Sequence, residues 1–159
     1  MTTKNTDLVA NFEATPQVAN SAAELAGVLR TAHGSVELAA GDSTDNDIVM
    51  LAPIPSNAAV PQLFVGSDTF GGSCTFNVGI YQTDGTVKDE DVFASSVADA
   101  AGMTDVRFEA ADLNTGSQKL WELAGDSTDP GGYFYVAITF NATGGTAGTL
   151  NWNINYVVN

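Results

Sequence analysis

The sequence has few basic residues, and this shortage excludes two classes of partner. Among its 159 residues are 5 Lys and Arg against 19 Asp and Glu, so the formal net charge is −14. Binding to nucleic acid phosphates or to an anionic membrane surface needs clustered cations, and here the few cations are scattered along the chain. We therefore predict that neither a nucleic acid nor a membrane is a partner.

Cysteine and histidine are equally scarce. The single cysteine, Cys74, cannot form an intramolecular disulfide, and it falls on the apolar side of a predicted strand, where we expect it to be buried. The single histidine, His33, leaves a zinc site short of its usual ligands. The nucleophile elbow G-x-S-x-G does not occur either. We therefore predict no enzymatic activity, no catalytic residue and no cofactor.

Long apolar runs are also missing. No stretch approaches the ~18 apolar residues of a membrane-spanning helix, and the first eleven residues lack the apolar core of a secretory signal. The hydrophobic fraction is nevertheless 44%, with a mean hydropathy of +0.04. A chain of this length and composition can bury a core of its own, and we expect a single packed domain.

Short segments in which apolar and polar residues alternate dominate most of the chain. In the clearest of them, Leu150, Trp152 and Ile154 alternate with asparagines, so these three side chains are predicted to face the core. The predicted strands are residues 35–39, 47–52, 60–67, 73–81, 105–111, 133–140 and 150–156. Pro53 and Pro55 follow the second of these, which therefore either ends there or lies on a sheet edge.

The remaining segments favour an arm and short helical turns. Residues 21–29 begin with a capping-box pattern and predict a short helix, although a first strand that begins near Val28 is the competing interpretation. Residues 92–101 and 117–124 end at glycines and predict single helical turns, with Trp121 at one end of the sandwich. The overall prediction is all-β: an extended N-terminal arm over residues 1–27, then one β-sandwich or jelly roll over residues 28–159.

The motif AGDSTD occurs twice, at residues 40–45 and 124–129. Asp42, Asp45 and Asp47 lie close together in the first loop, but the ligand spacing of a calcium-binding EF-hand is absent. The second copy lacks a third acid. We predict solvated acidic loops with no metal, and we interpret the repetition as independent turns that use the same residue types.

Candidate interaction residues occur in three places. The arm carries large apolar side chains that it cannot bury locally, two tyrosines lie opposite the apolar face of one strand, and asparagines line the outer side of the last strand. The candidate interface residues are Leu8, Phe12, Tyr133, Tyr135, Asn151 and Asn153. A carbohydrate-binding module that uses the tyrosines and the asparagine face is the alternative, since a fold does not fix a function.

Four segments give the chain a family resemblance. They are DNDIVMLAPIPSNAAV, FNVGIYQTDGTV, LWELAGDSTDPGGYFYVAITF and AGTLNWNINYVVN, and they follow a Thr/Asn/Ala-rich N-terminal arm. In this order of features the chain resembles the small jelly-roll virion proteins of tailed bacteriophages, of the capsid decoration (cement) type.

The resemblance implies a structural virion protein without catalytic residues. Such a protein forms a homo-oligomer, often a trimer, that sits on the capsid surface, contacts the major capsid protein and reinforces the shell. Assembly of the virion is then expected in the host cytoplasm. A component of a head fibre, a neck or a tail with the same sandwich is the alternative within this class.

Overall fold

The computed structural model describes residues 4–99, 102–110 and 112–158. The strands are β1 (Leu29–Leu38), β2 (Ile48–Pro55), β3 (Ala58–Ser67), β4 (Thr75–Tyr81), β5 (Val87–Ala98), β6 (Thr104–Asp105), β7 (Tyr133–Ala142) and β8 (Gly148–Val158). The helices are α1 (Asp7–Glu13) and α2 (Leu120–Leu123), and a single 3₁₀ turn spans Leu113–Thr115. Among the described residues, no helix is long and apolar enough to span a membrane.

The strands form two four-stranded antiparallel sheets that pack face to face. The first sheet has the order β1-β8-β3-β6 and the second has the order β2-β7-β4-β5. The chain passes from one sheet to the other at each connection between successive strands except the one between β4 and β5. This is the arrangement of an eight-stranded jelly roll, so the predicted fold class is confirmed.

The core lies between the sheets and follows the predicted alternation. On β7 the inward side chains are large and apolar, and one of them, Phe140, makes edge-to-face contacts with Phe70 and Phe76. On β8, Leu150 and Ile154 are fully buried. Cys74 is buried as predicted, and its burial, together with the nearby carboxylate of Asp99, raises the pKa of its thiol. The thiol is therefore neutral and unreactive at physiological pH.

The prediction for the first thirty residues is partly wrong. Residues 22–26 form a turn rather than a helix, and the competing interpretation holds, because β1 begins at Leu29. A Cβ on Gly27 would lie 1.9 Å from the backbone oxygen of Ala22, so the chain folds back tightly before it enters the sheet. The arm is also not extended throughout, since Asp7–Glu13 forms α1.

Two further segments differ from prediction. Residues 92–98, predicted as a helical turn, belong to β5, whose pairing with β4 is shifted at three places. In the segment predicted as a strand from residue 105, only Thr104–Asp105 pairs with β3, and the chain then turns so that Arg107 points inward. Ala100, Ala101 and Ala111, at the ends of these predictions, lie outside the described residues.

Two other predictions are confirmed, one of them with a correction. The helical turn within residues 117–124 is α2, in which Leu120 is fully buried and Trp121 is partly buried against the core. The prolines at 53 and 55 do lie on a sheet edge, because β2 continues through them and pairs only with β7. An edge strand tolerates proline because its outer side needs no ladder hydrogen bonds.

Candidate interaction surfaces

The N-terminal arm is held together by its own hydrogen bonds. The Asn5 amide donates to the Glu13 carboxylate over 3.0 Å, and the Asn11 amide donates to Asn20 Oδ1 over 2.8 Å. The Asn20 amide in turn donates to the backbone oxygen of Leu8 over 3.2 Å. These bonds fold residues 5–20 back on themselves.

The apolar side chains of the arm face solvent. Phe12 is 68% exposed, Val9 and Val18 are also exposed, and Leu8 is only half-buried. Of the two predicted interface residues in the arm, Phe12 is therefore the one available for contact with another molecule. An aromatic ring in this position is an anchor that lacks a pocket in its own chain.

Tyr133 and Tyr135 lie on the outer face of the second sheet, at the start of β7. They pair with Pro55 and Pro53 of the edge strand β2. Tyr133 is 57% exposed, whereas Tyr135 is half-buried. Further along the same face, Thr139 is buried and its hydroxyl is hydrogen-bonded to a tyrosine hydroxyl of β4. The exposed aromatic surface is consequently confined to one end of this sheet.

Asn151 and Asn153 lie on the outer face of the first sheet, in the central strand β8. Asn151 is opposite Ser35 of β1, and Asn153 is opposite His33. The side chain of Asn155, further along, accepts from Thr31 Oγ1 over 2.8 Å and donates to Gln62 Oε1 over 3.1 Å. This row of uncharged side chains is unusual for so acidic a chain.

The structure does not bring the tyrosines and the asparagines together. They lie on the outer faces of different sheets, with the whole core between them. No single ligand can therefore contact both sets on one chain, and the carbohydrate site that combined them is not formed. Each set stays a separate candidate surface.

The outer face of the first sheet contains a depression of about 720 Å³. Asn151 and Asn153 line it together with His33 and two residues that sequence reasoning did not single out, Asp68 and Met103. No local pattern marks this site, because its walls come from three strands and the segment before β6.

Two glycines shape the depression. A Cβ on Gly66 would lie 2.7 Å from the backbone oxygen of Gly102, so the segment that carries Met103 packs directly on β3. A Cβ on Gly34 would lie 2.7 Å from Cζ2 of Trp152, whose ring occupies the space that a side chain would take. Trp152 was predicted to be a core residue. It does pack against the core, on the same side of the sheet as Leu150 and Ile154, but it stays partly exposed.

Two buried polar atoms of residues around the depression have no hydrogen-bond partner among the described residues. They are Oδ1 of Asn153 and the hydroxyl of Ser67. Ser67 is opposite the fully buried Leu150, so its side chain faces the core, whereas Asn153 faces outward. Asp68 is fixed in place, because its Oδ2 accepts from the backbone N–H of Thr149 over 2.9 Å.

The carboxylates of the first acidic loop form turns separately. Asp42 accepts from the backbone N–H of Ala39 over 2.9 Å. Asp47 accepts from the hydroxyl and the backbone N–H of Thr44, and these bonds lower its pKa. Within the described ranges, no three metal-ligating side chains come together.

The second acidic loop has different contacts and a different backbone. Asp126 forms an ion pair with Lys88 at 2.7 Å. Asp129 accepts from the Ser56 hydroxyl over 2.6 Å, and this bond is the main reason that its pKa is lowered. Gly125 has a φ of +76°, for which the first copy has no equivalent. The two AGDSTD segments therefore adopt different structures, which supports the interpretation of independent turns.

The fold is similar to that of a chain in a solved phage capsid. No protein-family model matches the sequence, and no curated protein matches it. A chain of the cyanophage Pam1 capsid asymmetric unit matches the structure with a TM-score of 0.54 and 18% identity, over 84% of this chain and 86% of that one.

Two weaker likenesses accompany it. A chain of infectious bursal disease virus, Gx strain, has a TM-score of 0.45 and 13% identity, over 82% of this chain and 32% of that one. A chain of the acid-stable capsid of Helicobacter pylori bacteriophage KHP30 has a TM-score of 0.35 and 15% identity, over 82% and 94%. At these identities the likeness concerns the fold alone, and both TM-scores are lower than that of the Pam1 match.

Proposed function

We propose that this protein is a structural component of a tailed-phage virion that decorates the capsid surface and reinforces the shell, and that it is not an enzyme. The observation that carries the proposal is the arm, whose Phe12 is exposed to solvent while side-chain hydrogen bonds join different parts of residues 5–20 to one another. The likeness to a chain of the Pam1 capsid over 84% of this chain supports it.

Burial of the arm on a neighbour is the physical gain that drives attachment. Covering one large apolar side chain contributes roughly 1.5–3 kcal/mol, and the exposed large apolar side chains of the arm include Val9, Phe12, Val18 and Leu25. The neighbours are other copies of this chain, arranged as a homotrimer, and the major capsid protein. Tyr133 with Tyr135, and Asn151 with Asn153, provide two further contact surfaces on opposite faces of the sandwich.

The charge of the chain favours a position on the outside of the shell. A net charge of −14 keeps a protein soluble and opposes contact with packaged nucleic acid. Among the described residues only one ion pair, Lys88–Asp126, neutralises any of this charge. The shell surface that receives the protein is therefore expected to be neutral or basic. The virion surface is the proposed location, after assembly in the host cytoplasm.

The test measures mass and attachment for the full chain and for arm variants. Sedimentation equilibrium should show a trimer at micromolar concentration. Deletion of residues 2–17, or Phe12→Ser, should weaken binding to shells of the phage that lack the protein, while Phe12→Leu should retain most of it, because leucine keeps an apolar anchor. The thermal midpoint should stay nearly unchanged, since the bonds that hold the arm lie within it.

Three results would count against the proposal. One is a single 16.4 kDa species that does not bind shells. Another is a drop of more than about 10 °C in the thermal midpoint after deletion of residues 2–17. In a domain of this size, such a drop corresponds to a loss of more than ~2 kcal/mol in the free energy of unfolding, and it would mean that the arm is part of the core. Binding to tails or fibres but not to shells, seen by gold labelling in the electron microscope, would move the protein to another part of the virion.

A further inference from the structure

We propose that the free edge of β1 binds a second copy of this chain, so that two β1 strands pair antiparallel and the first sheets of the two copies form one continuous sheet. The two copies are then related by a two-fold axis. This contact is additional to the proposed role on the capsid and does not depend on it, because a homotrimer needs a different, three-fold contact.

β1 exposes a long and regular edge. It is the first strand of its sheet, and among the described residues it pairs only with β8. All of its 10 residues stay in register with β8, without a shift. An edge strand directs the N–H and C=O groups of alternate residues away from its sheet. At ~3.3 Å per residue, β1 therefore presents a row of hydrogen-bonding groups about 33 Å long.

The other three sheet edges are protected against strand addition. β2 contains prolines and has a register shift between Met50 and Ala52. β5 has shifted pairing with β4 and carries three consecutive acids at residues 89–91. β6 is only 2 residues long. Proteins use these same features to prevent edge-to-edge pairing. β1, by contrast, has no proline and no register shift, and residues 31–36 include no Asp, Glu, Lys or Arg.

The charge of the chain favours β1 as the place where two copies meet. Each copy has a net charge of −14, so two copies repel one another least where their facing surfaces are neutral. β1 carries one cation, Arg30, and one anion, Glu37, close to its opposite ends. Antiparallel pairing brings the basic end of one strand next to the acidic end of the other. Parallel pairing would instead bring like charges together.

Apolar side chains at the edge gain burial from this contact. Val28, just before the strand, is 73% exposed, and Leu29, its first residue, is 55% exposed. Ala32 and Val36 pack against the core but are only partly buried, because no further strand lies beyond β1 in this sheet. A second β1 covers part of this surface, and the hydrophobic gain adds to that of the new backbone hydrogen bonds.

Single cysteines on β1 test both the pairing and its direction. Thr31, His33 and Ser35 are exposed and lie on one face of the strand. The native Cys74 is buried and gives no background. In an antiparallel pair, the numbers of opposite residues have a constant sum. Opposite Cα atoms lie ~4.5–5.5 Å apart, within the range that a disulfide spans.

The full-length variants Thr31→Cys, His33→Cys and Ser35→Cys are oxidised by air with copper phenanthroline, each alone and in pairwise mixtures. Thr83→Cys, in the exposed turn between β4 and β5, is the control for random collisions. On a non-reducing gel we expect disulfide dimers only in the combinations that share one sum. If His33→Cys pairs with itself, for example, Thr31→Cys pairs with Ser35→Cys but neither pairs with itself.

Three results of this experiment would overturn the proposal. They are no disulfide in any combination, disulfides of all three β1 variants with themselves, as parallel pairing would give, and disulfide formation by Thr83→Cys at the same rate. Shells are not used, so a failure here is distinct from a failure of the protein to bind the capsid.

A charge at the centre of the edge tests the contact without cysteines. In sedimentation velocity, the weight-average coefficient of the wild type should rise with concentration beyond that of the species present at micromolar concentration. Ser35→Glu should shift this rise to concentrations about tenfold higher or more, because the pairing brings two added negative charges close together. Thr83→Glu adds the same charge outside β1 and should behave like the wild type. Equal behaviour of the two variants, with circular dichroism showing both folded, would contradict the proposal.

Discussion

Arg107→Lys is expected to destabilise the fold more than Arg107→Met, although lysine keeps the positive charge. Arg107 is 0% exposed. Its Nε donates to the backbone oxygen of Val60 over 2.5 Å, and Nη2 donates to that of Thr115 over 2.9 Å. The guanidinium lies 4.9 Å from the ring centre of Phe93 and 4.6 Å from that of Phe108. This one side chain therefore joins β3, β5 and the segment that follows β6.

The magnitude follows from the cost of burying the charge. Burial lowers the pKa of Arg107 from its ordinary value to about 10, against the opposing effect of Asp105. At ~1.4 kcal/mol per unit, burial disfavours the charged form by about 3 kcal/mol. Because the folded pKa is the lower one, this cost is constant at neutral pH and is relieved only as pH rises through 10.

The two substitutions alter this balance differently. Methionine removes the charge and its cost but leaves the carbonyl oxygens of Val60 and Thr115 without their donor, at ~1–3 kcal/mol each. The net loss should be under about 2 kcal/mol. Lysine keeps a buried charge that is more strongly hydrated and cannot form the same fork, so the loss should approach the ~3–5 kcal/mol of a broken buried ionic contact.

Urea unfolding followed by tryptophan fluorescence measures the difference, with each variant run at two protein concentrations so that assembly is separated from folding. We expect both variants to have the wild-type dependence on urea and shifted midpoints. If Arg107→Lys proves more stable than Arg107→Met, the charge itself is what the fold needs, and the reasoning from desolvation is refuted.

Two other substitutions test the fold locally. Gly79→Ala should prevent native folding, because a Cβ on this residue would lie 2.1 Å from the backbone oxygen of Asp89. Gly145→Ala is the control: no atom lies within 4 Å of the position of its Cβ, so it should have the circular dichroism and the urea midpoint of the wild type. Asp129→Asn should lower the urea midpoint at neutral pH but not at pH ~2. The hydrogen bond from Ser56 lowers the pKa of Asp129, so the ionised carboxylate stabilises the fold at neutral pH. This stabilisation is lost as the pH falls through the pKa of Asp129 in the folded protein. An equal effect at both pH values would contradict this reasoning.

Strands with one fully buried face could be predicted from the sequence, because burial imposes a period of two on the residues. This held for β7 and for β8, where Leu150 and Ile154 are buried as expected. The prolines of β2 also carried usable information, because a residue without an N–H cannot sit in a central strand. The acidic loops were predicted correctly as turns for a similar reason, since Asp and Ser bond to nearby backbone groups.

Other features could not be predicted, because their causes are not local. Phe93 and Val97 are four residues apart and suggest a helix, but β5 has shifted pairing and a φ of +55° at Ser96, which disrupt the period of two. Residues 105–111 were predicted as a strand, in which Arg107 would lie on the side opposite to Val106 and Phe108 and face water. The strand in fact ends at Asp105, and the alternation ends with it. The depression depends on residues from separate strands, so no single segment reveals it.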